Sequence, residues 1–162
     1  MNNYIQIYKN VISDKYCDEL ITKFESESNA NKETYDQGPM SFTQVNLNKS
    51  LWQDDISNLS SVFSKYLQQY KNDCAITEHM WPQRYAFEEI RLKKYLANNK
   101  DRFDPHVDSI SIESAKRFLV FFVYLDNNKR GETNFPQLGL ASPCVKGSLL
   151  MFPPLWLSLI HI

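Results

Sequence analysis

The residues best suited to chemistry are His106 and Asp108, separated by Val107. Side chains at i and i+2 of an extended strand point to the same face. An imidazole and a carboxylate placed that way can bind one metal ion together. With one more histidine from elsewhere they form a facial triad of two histidines and a carboxylate. That triad leaves positions on Fe(II) open for a cosubstrate and O2. His-x-Asp alone is a common pair, equally compatible with a polar surface strand. A zinc-dependent hydrolase is a weaker fit, because there is no three-ligand cluster and no catalytic glutamate in a recognisable motif. Cys17, Cys74 and Cys144 are far apart, with no zinc-ligand spacing among them.

The elements that must position this pair follow from the hydrophobic pattern. Tyr4–Tyr8 alternates as a short strand, and Ser13 is placed as an N-cap. Tyr16, Leu20, Ile21 and Phe24 then form one helical stripe. Glu25–Pro39 is polar and reads as a loop, followed by a strand at Phe42–Leu47. Asp54 and Asp55 open a second helix, where acidic residues suit the N-terminal dipole. Its buried side is Ile56, Leu59, Val62, Phe63, Tyr66, Leu67 and Tyr70. From Tyr85 the period changes. Phe87–Leu96, Phe103–Ser109 and Arg117–Leu125 read as strands, the last of them buried. Asp126–Lys129 is a turn, and Thr133–Pro136 and Ser148–Phe152 add two more short strands. Two helices followed by a run of strands imply an α+β domain with a sandwich or jelly roll as its β part.

Composition narrows the partners. The 162 residues carry a formal net charge of -1, with neither a basic excess for nucleic acid nor an acidic tail. No apolar run approaches the roughly 20 residues that span a membrane, and the N-terminus does not read as a signal peptide. Three widely spaced cysteines argue against a disulfide framework and for a reducing compartment. The expected location is the cytoplasm of a microbe or of a virus-infected host cell; the many Asn, Lys, Tyr and Ile residues hint at an AT-rich genome.

Around His106 and Asp108 the motifs fall in a specific order. Tyr95 precedes a polar loop and Phe103-Asp104-Pro105-His106. Downstream come Arg117, Val123-Tyr124-Leu125-Asp126-Asn127, Gly131-Glu132-Thr133-Asn134-Phe135-Pro136 and Lys146-Gly147-Ser148-Leu149-Leu150-Met151-Phe152-Pro153-Pro154. This set resembles the prolyl 4-hydroxylase family of Fe(II)- and 2-oxoglutarate-dependent dioxygenases over almost the whole chain. The resemblance implies a double-stranded β-helix (jelly roll) with two N-terminal helices packed on it. It implies His106 and Asp108 as iron ligands, and Tyr95, Tyr124 and Thr133 as contacts of 2-oxoglutarate. Arg117 would face the substrate or pair a surface carboxylate. Ascorbate is implied as a reductant. The implied reaction converts 2-oxoglutarate and O2 to succinate and CO2 while hydroxylating a C–H bond. Its substrate would be a peptide, a protein or a small molecule, with peptidyl proline the family's best-known target. Nucleic acid and membrane are not expected as partners.

The sequence departs from the family in three places. Arg130 stands where the family has the first glycine of a pair. The family's second iron histidine should follow the Pro-Pro-x-Trp stretch by about four residues, whereas His161 lies five after Trp156. A one-residue slip on a strand turns a side chain to the opposite face. No Lys or Arg follows to meet the distal carboxylate of 2-oxoglutarate. Residues 1–156 are therefore expected to be an incomplete oxygenase domain that lacks its last strands. Residues 157–162 are expected to be a non-native, adapter-derived tail, since Leu157–Ile162 is what CTG TCT CTT ATA CAC ATC encodes. On that reading the chain as it stands is a poor enzyme and a marginally stable domain. The alternative is a non-catalytic jelly-roll binding module that kept the scaffold and lost the site.

Overall fold

The structure, a computed structural model, describes residues 4–161 apart from 39, 50, 98, 99, 109, 110 and 156–158, with backbone alone at 37 and 159–161. Chain order is β1 (Gln6–Tyr8), α1 (Asp14–Ser26), β2 (Lys32–Gln37), β3 (Met40–Asn46), α2 (Gln53–Asp73), β4 (Arg91–Lys94), β5 (Arg102–His106), β6 (Val120–Val123), β7 (Asn128–Phe135), β8 (Leu140–Cys144), β9 (Leu149–Phe152) and β10 (Leu159–His161). Ser13 caps α1, its Oγ accepting from the Tyr16 N–H at 3.2 Å. No described helix is long and apolar enough to cross a membrane.

All the described strand pairings are antiparallel. A three-stranded sheet runs β1-β9-β6. A seven-stranded sheet runs β2-β3-β5-β10-β7-β8, with β4 also paired to β3. The centre of the packing is β9, whose four residues are all fully buried. Alternation explains why. Leu149 and Met151 meet Cys17, Leu20 and Phe24 of α1 and Leu59, Phe63, Leu67 and Tyr70 of α2. Leu150 and Phe152 face the other way, against Phe135 of β7 and Tyr124. A strand buried on both faces reads as a continuous apolar run, as Leu-Leu-Met-Phe does.

β3 and β4 have two distinct faces. Val45 and Leu92 are paired in register and join the helix-side core. Gln44 and Lys93, also paired, point to the opposite side, together with Phe42. That second side is where the candidate site lies.

Several elements differ from the pattern reading. The polar segment after Glu25 is not a loop throughout: α1 continues to Ser26, and Lys32–Gln37 form β2 against β3. Lys-Glu-Thr-Tyr-Asp-Gln lacks an apolar stripe because β2 is an edge strand with largely exposed side chains. β7 begins at Asn128, inside the expected turn, with its first three residues exposed. There Asn128 Oδ1 accepts from the Arg130 N–H at 2.9 Å, closing the bend at which arginine replaces a glycine. β8 has no counterpart in the sequence reading. Residues 159–161, expected to lie in a non-native tail, form β10 between β5 and β7. The rest of that expected tail, 157–158 and 162, lies outside the described residues.

The Lys-Gly-Ser segment has a local steric reason. Gly147 adopts φ +72°, and a Cβ there would lie 2.7 Å from the Ile12 carbonyl oxygen. Its carbonyl accepts from the Val11 N–H and its N–H donates to the Tyr124 carbonyl, each at 2.8 Å. The glycine thus ties the entry of α1 to the end of the Tyr124 strand. Gly147→Ala is expected to lower unfolding free energy by at least about 1–2 kcal/mol, the cost of a left-handed residue with a side chain. Urea denaturation measures this, and an unchanged midpoint would contradict it.

Candidate metal and cosubstrate site

His106 ends β5, and Asp108 lies just past the strand. The two side chains converge, with His106 Nε2 3.4 Å from Asp108 Oδ1. Both are largely buried, at 16% and 23% side-chain exposure. The other ring nitrogen of His106, Nδ1, is 2.8 Å from the backbone carbonyl of Asp104. With the proton on Nδ1 donating to that carbonyl, Nε2 presents a lone pair toward Asp108. A second bond of this kind is what usually fixes the tautomer of a metal-bound histidine. The imidazole also stacks on Phe103, centroids 3.6 Å apart and planes 10° apart.

A lone pair and a carboxylate oxygen facing one another at this distance need a cation between them, either a proton or a metal ion. Two donors at right angles on bonds of roughly 2.1 Å would be about 3 Å apart. The observed separation is close to that spacing, so the pair fits a metal without rearrangement of the backbone. Among the described residues no third His, Cys, Asp or Glu joins them. The backbone of His161 is paired with Phe103 on one side and with Thr133 on the other, after a register shift between Leu159 and His161. Its side chain lies outside the described atoms.

The surroundings favour an ionised Asp108. Burial pushes its carboxyl up, but a proton on His106 Nε2, with Lys93 and Arg117, outweighs this and holds it below the usual carboxylate range; in the metal-bound form the ion takes the place of that proton. For Arg117 the sequence leaves two roles open, facing a substrate or pairing a surface carboxylate. Its Nε donates to Glu88 Oε1 at 2.8 Å, and its Nη1 donates to the Asp108 backbone carbonyl at 3.1 Å. It therefore braces the turn that carries the candidate ligand.

Tyr95 follows β4 and packs on Phe42, ring centroids 5.5 Å apart. Burial, then the negative charges of Asp101 and Asp108, raise its phenol pKa well above the ordinary value. Tyr95 is thus a neutral hydrogen-bond donor beside the His106–Asp108 pair. Tyr124 and Thr133 form a separate cluster. The Tyr124 hydroxyl is 2.7 Å from Thr133 Oγ1 and 3.2 Å from Ser142 Oγ, with all three residues buried. β10 lies between β5 and β7, so these hydroxyls stand across that strand from the β5 group.

The sequence reading missed Ser142, Phe103 and Lys93. For Lys93 a signal was present: it is two residues before Tyr95 and shares its face of the strand. Ser142 had none, because β8 carries no clear alternation.

No family model and no curated protein matches the sequence. Solved structures do match. A viral collagen prolyl hydroxylase, vCPH from Paramecium Bursaria Chlorella virus-1, in its 2OG complex, superposes with a TM-score of 0.72. The match has 18% sequence identity and covers 99% of this chain and 88% of that one. The chain has a prolyl hydroxylase-like fold. A truncated form of the same viral enzyme gives a TM-score of 0.67, also at 18% identity, covering 98% of this chain and 82% of that one. At this identity the likeness is one of fold, and a prolyl hydroxylase-like fold can carry more than one activity.

The buried hydroxyl cluster generates a stability prediction. Tyr124→Phe deletes the group shared by Thr133 Oγ1 and Ser142 Oγ, and is expected to cost about 1–3 kcal/mol. Equilibrium denaturation of the purified variant is the check. A wild-type midpoint would show that the cluster contributes nothing to folding.

Proposed function

We propose that this chain is an Fe(II)- and 2-oxoglutarate-dependent dioxygenase that hydroxylates a C–H bond. The observation carrying this reading is the 3.4 Å approach of His106 Nε2 to Asp108 Oδ1, with Nδ1 already committed to the Asp104 carbonyl. His106 and Asp108 would hold the iron. When bound, the metal supplies oxidative decarboxylation of 2-oxoglutarate to succinate and CO2, coupled to hydroxylation of the substrate. Ascorbate would keep it reduced.

The protein's own part is binding, orientation and exclusion of water. Tyr95, neutral at any ordinary pH, donates a hydrogen bond to the cosubstrate. Tyr124 and Thr133 offer it hydroxyls from a site closed to solvent. Arg117 holds the backbone at Asp108, keeping that bend beside the end of β5. Phe103 fixes the imidazole plane by stacking. In this reading the two antiparallel sheets are the halves of a jelly roll, with β5, β10, β7 and β8 forming the half that bears the metal pair. The likeness to a collagen prolyl hydroxylase suggests a prolyl residue in a peptide as one substrate. Other protein side chains and free amino acids share the same C–H chemistry.

The test is 2-oxoglutarate binding without O2, with and without Fe(II), followed by succinate release in air. Binding is the primary readout, because it reports the ligand roles of His106 and Asp108 without requiring turnover. Wild type should bind 2-oxoglutarate far more tightly with metal than without. His106→Ala and Asp108→Ala should each abolish that gain, since one remaining ligand of the pair cannot hold the facial geometry. Binding indifferent to iron, or unchanged in both variants, would refute the proposal.

A further inference from the structure

Tyr95 lies one residue past the end of β4, whose last pair with β3 joins Lys94 to Thr43. The ladder that registers β4 on β3 therefore stops just short of the phenol beside the metal pair. Two consecutive residues of β3 reach beyond that point. Phe42 packs its ring on that of Tyr95. Ser41, buried and paired with Arg102 at the start of β5, donates its hydroxyl to Asp101 Oδ1 at 2.9 Å.

The other carboxylate oxygen, Oδ2, accepts from the Leu96 N–H at 2.8 Å. Leu96 directly follows Tyr95, and Asp101 directly precedes β5, the strand that ends at His106. One carboxylate thus ties the backbone just past Tyr95 to β3 and to the entry of β5. Both contacts have an ionised acceptor, which makes them stronger than neutral hydrogen bonds. A hydroxyl that must meet a bound ligand needs a support of this kind, since a small displacement costs the contact. After burial, the charge of Asp101 is also the largest influence raising the Tyr95 phenol pKa, so the hydroxyl remains a donor.

We propose that Asp101 is a positioning residue for 2-oxoglutarate: by tying Leu96 to Ser41 it holds the Tyr95 hydroxyl where the cosubstrate meets it. The inference rests on the oxygenase reading and adds a residue to the machinery of that site. Asp101 acts through Tyr95 and does not itself touch the cosubstrate. The metal pair is held separately, His106 by the Asp104 carbonyl and the Phe103 ring, and Asp108 by Arg117. Loss of Asp101 is therefore felt by the cosubstrate and not by the metal.

The experiment is a double-mutant cycle on the full chain, read by calorimetric titration of 2-oxoglutarate in the presence of redox-silent Mn(II). Titration of Mn(II) alone is the second readout. Tyr95→Phe should weaken 2-oxoglutarate binding roughly tenfold, the loss of one hydrogen bond. Asp101→Ala should weaken it by a similar factor while leaving Mn(II) affinity within about twofold of wild type. In the Tyr95→Phe background Asp101→Ala should have no further effect, because coupled residues are not additive. Asp101→Asn, which keeps an acceptor for Leu96 and a partner for Ser41, should restore most of the affinity. If Asp101→Ala does not fold, Ser41→Ala takes its place in the cycle, with a smaller loss that again vanishes with Tyr95→Phe. Additive losses, wild-type 2-oxoglutarate affinity without the carboxylate, or an equal loss of Mn(II) affinity each overturn the proposal alone. A wild type that does not bind 2-oxoglutarate with Mn(II) overturns the oxygenase reading, and the proposal with it.

Discussion

The ring of His106 is fixed twice: Nδ1 is held at the Asp104 carbonyl and the imidazole plane is stacked on Phe103. The rest of the site depends on this. With the ring fixed, Nε2 has one direction to point, and Asp108 Oδ1 stands there. The second partner is held from another direction, because Arg117 Nη1 donates to the backbone carbonyl of Asp108. Preorganisation of this kind is what the proposed iron pair requires.

The scaffold delivers these residues through β9. Its two apolar faces join the helix-side core to the core beneath Tyr124, so both sheets are anchored on the same four residues. Gly147, just before β9, lets the chain pass within contact of Ile12 and so brings the N-terminal segment onto the same frame. On the larger sheet, the period of two divides labour cleanly. Val45 and Leu92 serve the core, while Phe42 and Lys93 lie on the opposite face, beside Phe103. A substitution on either face of β3 or β4 should therefore affect stability or the site, and rarely both.

Much of this was legible in the sequence, for physical reasons. The Ser13 cap, the apolar stripes of both helices and the run Leu149–Phe152 each depend on local chemistry or on strong periodicity, and each is found where the pattern puts it. The sequence put His106 and Asp108 together as i and i+2 of one strand, and they do meet, but β5 ends at His106 and Asp108 reaches it from the bend beyond. What was not legible depends on long-range pairing. β2 and β8 are polar strands that exist because β3 and β7 supply their hydrogen bonds. Arg117 gave no hint that it would brace Asp108, since that contact joins residues nine apart across a bend.

The central claim is that His106 and Asp108 share one metal ion. An anomalous difference map from crystals of the chain soaked in Mn(II) tests it most directly. The account predicts a single strong peak between the two side chains, roughly 2 Å from His106 Nε2 and from an Asp108 carboxylate oxygen. A peak elsewhere, or a map showing these two atoms turned apart with no ion between them, would contradict it.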